Sequence, residues 1–145
     1  MSFDFEECLR LNLLRKIPPS RERAFQSIEK AKEWAVEAEA SLRAKAFNSS
    51  LHASYMVMFH AGRALLFFEG YREKSHACIA RFLERKYVST GKLDQKWVDI
   101  LDHNRELRHH GQYDLSYIST EDEVRNSLDA AGDFLSAMES LLKSL

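Results

Sequence analysis

The side chains best equipped for chemistry crowd one stretch, His103-Asn104-Arg105-Glu106-Leu107-Arg108-His109-His110-Gly111-Gln112-Tyr113. An imidazole that titrates near neutrality can take up and release a proton. A guanidinium can grip a phosphate through two parallel hydrogen bonds. The combination suits hydrolysis or transfer at a phosphate. On a helix turning about 100° per residue, Arg105 and His109 stand about 40° apart and share a face. Arg105 and His110 stand about 140° apart on the same helix. Those two converge only if the helix loosens near Gly111 or a second subunit supplies one of them. The competing reading is a plain helix end, where Arg and His are favoured by the C-terminal dipole.

Other chemistries find less in the sequence. There is no His-Glu-x-x-His, and the adjacent His109 and His110 point to different faces of a helix, so no metal site is expected. Neither a phosphate-cradling glycine loop nor a Gly-x-Ser-x-Gly elbow occurs, and no cofactor is expected. His52 and His60 lie in the same expected helix, and His60, one residue past the apolar pair Met58-Phe59, reads as structural. Cys8 and Cys78 match no zinc spacing and read as reduced thiols, Cys78 as a small core residue.

The elements that must position these side chains are helices. With 145 residues there is room for one domain, taken as 1–145, and too little for two ordinary ones. Only 5 Gly and 2 Pro argue against a many-turned β-sandwich or barrel. A short helix is expected over residues 4–15, ended by Ile17-Pro18-Pro19. Ser20 reads as the N-cap of a helix over 21–45, whose Ala24, Ile28, Ala31, Ala35, Ala38 and Leu42 form a heptad-like stripe. Asn48 or Ser49 would cap the next helix, striped by Leu51, Tyr55, Met58, Gly62 and Leu65 and stopped at Gly70. A third helix is expected from His76 to Tyr87, capped by Ser75, and a fourth from about Leu93 to His109. Thr120-x-x-Glu123 has capping-box spacing and opens a last helix striped by Val124, Leu128, Ala131, Leu135, Met138 and Leu142. No segment alternates with period two. The expected fold class is all-α: an antiparallel up-and-down bundle of four main helices plus a short N-terminal helix.

Charge is balanced overall, at −1, which points to neither nucleic acid nor membrane. The middle of the chain, 71–110, is basic and carries four of the six histidines, while 111–145 is acidic. Such a neighbourhood could seat an anion; a solvated surface with local charge drift reads the same way. The beginning, MSFDFEECLR, shows no basic-then-apolar signal pattern, and no apolar run reaches the length of a membrane span. The cytoplasm is the expected location.

Two stretches carry a family resemblance. Ala53-Ser-Tyr-Met-Val-Met-Phe-His-Ala-Gly-Arg-Ala-Leu-Leu-Phe-Phe-Glu-Gly-Tyr-Arg-Glu-Lys-Ser-His76 resembles the central signature of HEPN (higher eukaryotes and prokaryotes nucleotide-binding) domains. Arg105 to Tyr113 resembles their second signature, an arginine followed at a short distance by a histidine and then often a tyrosine. The helix with Lys30-Ala31-Lys32 and Trp34-Ala35 also fits, so the resemblance covers about residues 20–142. It implies a helical bundle that homodimerises, and in many members a metal-independent endoribonuclease with its cleft at the dimer interface. Carried onto this chain, Arg105 and His110 would be the catalytic pair. His110 would act as general acid/base toward the RNA 2′-hydroxyl and Arg105 would stabilise phosphate charge. Arg108, His109 and Tyr113 would bind substrate. A second register makes Arg108 the motif arginine. The resemblance also allows a non-catalytic nucleotide-binding or interaction module paired with a small nucleotidyltransferase, as in toxin–antitoxin couples. A helical interaction protein with no nucleotide role is the third reading.

Overall fold

The computed structural model describes residues 4–145; the first three residues of the expected domain lie outside the described residues. Six helices occur among the described residues. They are α1 (Phe5–Arg10), α2 (Arg21–Arg43), α3 (Phe47–Glu69), α4 (Ala77–Leu83), α5 (Gln95–Tyr113) and α6 (Glu121–Ser144). The all-α bundle of four long helices expected from the stripes is the architecture observed, with α1 and α4 as short additions. A π-helical turn, Glu84–Val88, prolongs α4. Among the described residues no helix is long and apolar enough to cross a membrane.

The stripes face where their spacing predicts. Ala24, Ile28, Ala31, Ala38 and Leu42 of α2 are buried, with Ala35 half-buried at the margin of the core. All five stripe positions of α3 are buried, and α3 runs through the centre of the molecule against α2, α4, α5 and α6. Small residues set the close approaches. A methyl at Gly62 would stand 3.0 Å from Ile79 Cγ2 of α4, tighter than ordinary packing.

The caps follow sequence chemistry at four of the six helices. Asp4 and Thr120 form capping boxes with Glu7 and Glu123; Ser20 accepts from Arg23 N, and Asp94 from Lys96 N. Helix α3 departs from expectation. It begins at Phe47 after an uncapped Ala46, inside which Asn48 and Ser49 are already helical. Likewise α4 has His76 at its N-cap and no side-chain cap bond, so Ser75 is not its cap.

The expected helix over 4–15 is shorter and gives way to a strand. After Asn12, at φ 60°, residues Leu14–Lys16 form β1, antiparallel to β2 (Tyr71–Glu73), with Leu14 opposite Glu73 and Lys16 opposite Tyr71. Ile17 N then donates to Gly70 O and Ser20 N to Phe67 O, so the Pro18-Pro19 segment crosses the end of α3. Gly70 sits at φ 90° as the left-handed C-cap, and a methyl there would stand 2.8 Å from the Ile17 carbonyl oxygen.

The expectation of free thiols is corrected. Cys8 and Cys78 form a disulfide with Cα atoms 6.0 Å apart. Helix α1 packs on α4 and brings two cysteines 70 residues apart in sequence within bridging range.

Candidate functional site

Helix α5 carries the polar cluster, and its orientation is set by one buried asparagine. Val98, Leu101 and Asn104 face inward. Asn104 Nδ2 donates to the Ile100 carbonyl (2.8 Å), and its Oδ1 accepts from Ser127 Oγ of α6 (2.6 Å). With Asn104 pinned, Arg105 and Arg108 fall half-buried on the flank of α5, while Glu106, His109 and His110 reach solvent.

The two arginines are held differently. Arg105 Nη1 bonds Asp102 Oδ1 (2.7 Å), and the same carboxylate takes Arg81 Nη2 of α4 on its other oxygen (2.6 Å). Arg108 lies over the Tyr55 ring, 4.8 Å from its centroid, and its Nη1 donates to Gln112 Oε1 (2.8 Å). Its Nε–H is buried without an acceptor among the described residues. A buried donor left unpaired is costly, and an anionic oxygen would satisfy it.

Beneath the arginines runs a row that the sequence reading did not single out. Tyr55, Phe59 and Arg63 recur every four residues on one face of α3. His76, at the N-cap of α4, stacks on Phe59 with centroids 4.2 Å apart, and the Tyr55 hydroxyl meets its Nδ1 at 3.1 Å. Arg63 closes the row, bonded to Glu73 (2.9 Å) and lying over Phe67 (4.9 Å). Burial, then the charges of Arg108, Arg105 and Arg63, push the His76 imidazolium down to about 4. Burial pushes the Tyr55 phenol up to about 12, so at neutral pH a protonated phenol shares a hydrogen bond with a neutral His76. The signal that could have found this row was the four-residue recurrence itself.

The histidines of the motif stand at the surface. His110 and Asp114 lie one helical turn apart, with His110 Nδ1 at 3.7 Å from an Asp114 carboxylate oxygen. Hydrogen bonds from Ser116 chiefly keep Asp114 below the usual carboxylate range, with a smaller contribution from His110. Asp114 was not anticipated from sequence. His109 packs on the exposed Tyr113, ring centroids 4.9 Å apart. Arg105, Glu106, Arg108, His109 and His110 border one shallow depression of about 260 Å³. The five predicted site residues thus fall on one part of the surface. Four of them border the depression, and Tyr113 stands beside it through His109. No hydrogen bond joins Arg105 to His110: Arg105 is bonded to Asp102, and His110 faces Asp114.

Helix α5 does not stop at about His109, as expected, but runs on through Gly111 to Tyr113. Gly111 serves a close approach instead: a methyl there would lie 2.9 Å from Leu51 Cδ2. Beyond the helix, Leu115 and Ile118 are exposed. Among the described residues no three His, Cys, Asp or Glu side chains gather as a metal site.

The model of the HEPN domain family matches residues 25–141. The chain is also similar to the UPF0332 protein of Thermotoga maritima, with 26% identity over 116 residues, 80% of this chain and 88% of that protein.

Proposed function

The chain belongs to the HEPN domain family, and from that premise we propose that it is a metal-independent endoribonuclease, toxin-like in kind, that works as a homodimer in the cytoplasm. The observation that carries the reading is the depression bordered by Arg105, Arg108 and His110, with Asp114 beside the inner nitrogen of His110. A carboxylate at Nδ1 orients an imidazole so that Nε2 faces substrate. His110 takes the proton from an RNA 2′-hydroxyl, and the 2′-oxygen attacks the adjacent phosphorus. The P–O5′ bond breaks, leaving a 2′,3′-cyclic phosphate, and the departing 5′-oxygen takes a proton from the second copy's His110. Arg105 and Arg108 offset the charge that builds on the phosphoryl oxygens, and His109 and Tyr113 flank the strand.

The dimer supplies what one chain lacks. About 140° of helix separates Arg105 from His110, and a second copy across the depression completes each site. Exposed Tyr113, Leu115 and Ile118 beside the histidines give that contact apolar surface.

The test is cleavage of single-stranded RNA by the purified protein with EDTA present. RNA is cut and the matching DNA, which lacks the nucleophile, is not. His110→Ala lowers the rate by about 10²- to 10⁴-fold. Intact RNA with wild-type protein, or full activity in His110→Ala, overturns the assignment.

A second reading rests on two other features of the same depression. Arg105 is already paired with Asp102, and Glu106 places a negative charge at the rim. These favour a non-catalytic module that binds a nucleotide or a small nucleotidyltransferase. In that case Glu106→Asn raises anion affinity and creates no cleavage.

A further inference from the structure

Beside the arginine depression lies a larger cavity, about 710 Å³, between α2, α3 and the end of α5. Its size falls within the range of small-molecule sites. Trp34 and Glu37 of α2, Asn48 and His52 of α3, and Gly111 and Gln112 of α5 border it. The bare Gly111 lets α5 lie against Leu51, so the cavity occupies the angle where α5 meets the start of α3.

Its polar groups are already sorted by their bonds. The Asn48 side-chain oxygen accepts from Ser119 Oγ (2.8 Å), and the Gln112 side-chain oxygen accepts from Arg108 Nη1 (2.8 Å). With their oxygens engaged, both amides have NH₂ donors to offer. Glu37 brings acceptors only. The indole of half-buried Trp34 lies nearly perpendicular to the His52 ring, centroids 5.9 Å apart, and His52 Nδ1 is buried without a partner among the described residues. A flat aromatic wall with amide donors and a carboxylate acceptor fits a planar heterocycle with a mixed hydrogen-bonding edge. The Arg108–Gln112 bond joins the cavity to the depression. Burial and then the Arg108 charge depress the His52 imidazolium, so the guanidinium's field reaches the cavity.

We propose that this cavity takes the nucleobase of a nucleotide whose phosphate rests on Arg108, the base stacking on Trp34 with its edge against Asn48 and Gln112. The inference rests on the RNA-directed reading of the neighbouring depression and adds to it a base-binding subsite. Inorganic phosphate or ribose 5-phosphate would engage the arginine depression and leave the cavity empty.

The two tryptophans make the test direct. Trp97→Phe leaves Trp34 as the sole indole emitter, and that protein is titrated with GMP, AMP, UMP, ribose 5-phosphate and inorganic phosphate. At least one nucleotide quenches Trp34 emission saturably, whereas the two base-free anions do not. Trp34→Ala weakens that nucleotide, measured by calorimetry, about 5- to 150-fold, the span of one stacked base, and leaves phosphate affinity unchanged. Arg108→Ala weakens nucleotide and phosphate alike. Should Trp34→Ala misfold, Ala40→Leu at the exposed rim narrows the cavity and is expected to lower nucleotide affinity selectively. No saturable nucleotide binding, or binding equal in wild type and the variant that folds, overturns the proposal. A protein that binds nucleotide through Trp34 but cuts no RNA sinks the nuclease reading and leaves the base site standing. A protein that cuts RNA with nucleotide affinity indifferent to Trp34 does the reverse.

Discussion

Acid should destabilise this fold through His76 before most carboxylates titrate. Buried against Phe59 and Tyr55 and faced by Arg63, Arg105 and Arg108, the ring titrates near 4 in place of its ordinary 6.5. Its folded pKa lies below its unfolded one, so the unfolded chain binds the extra proton first. The neutral ring's contribution is intact above about pH 6.5 and is lost as pH falls toward 4. At full strength that shift corresponds to about 3 kcal/mol. The ring is only about half buried, and solvent screening brings the figure to about 1.5 kcal/mol. Urea unfolding at pH 7.5, 5.5 and 4.5, for wild type and His76→Gln, isolates it. His60, also pushed down to about 4 by burial and its neighbouring cations, and the carboxylates fall out in the difference because both proteins share them. Wild type should lose about 1.5 kcal/mol more than the variant between pH 7.5 and 4.5. Equal losses would refute the claim that the ring is held neutral by its surroundings. Phosphate offers a second readout: an anion on Arg105 and Arg108 should raise the His76 pKa, visible as a shifted ring titration by NMR.

Asp102→Asn should free Arg105 and Arg81 from their shared carboxylate and raise affinity for inorganic phosphate several-fold; unchanged affinity in a titration would show that Asp102 does not restrain them. Ala31→Leu, at a fully buried stripe position, should cost about 1–3 kcal/mol by overpacking, and Ala35→Leu less because that position is half exposed, as paired melting curves would show. Lys45→Gly should stabilise the protein by about 1 kcal/mol, since Lys45 holds φ 60° in the exposed turn between α2 and α3; an unchanged urea midpoint would count against strain there.

The bundle was legible because each long helix buries a stripe whose spacing survives in one sequence. Gly70 was legible for a local reason as well, since a left-handed cap has a residue signature. The strands were not, because three residues are too few to display a period of two, and Leu14 pairs with Glu73 only once α3 has turned the chain back. The disulfide depends on α1 docking on α4, a long-range event with no local sign. The end of α5 was placed too early because a glycine such as Gly111 can end a helix or permit close packing, and only Leu51 decides which. At the site, the polar cluster of α5 stood out by residue type, and the family resemblance singled out Arg105, Arg108 and His110 within it. Their partners Asp102, Tyr55, His76 and Asp114 could not, because which carboxylate or ring lies beneath an arginine is decided by helix packing.

The Cys8–Cys78 bond turns the first half of the molecule into a covalent ring that includes α2, α3 and both strands. Lys45 lies within that ring in the turn between α2 and α3, exposed and out of regular helix. A single tryptic cut after Lys45 would therefore open the chain without releasing anything. The nicked protein would keep its mass but for one water, and would part into residues 1–45 and 46–145 only when thiol is added. A gel run with and without reductant would read the state of the bridge directly from protein taken from cells.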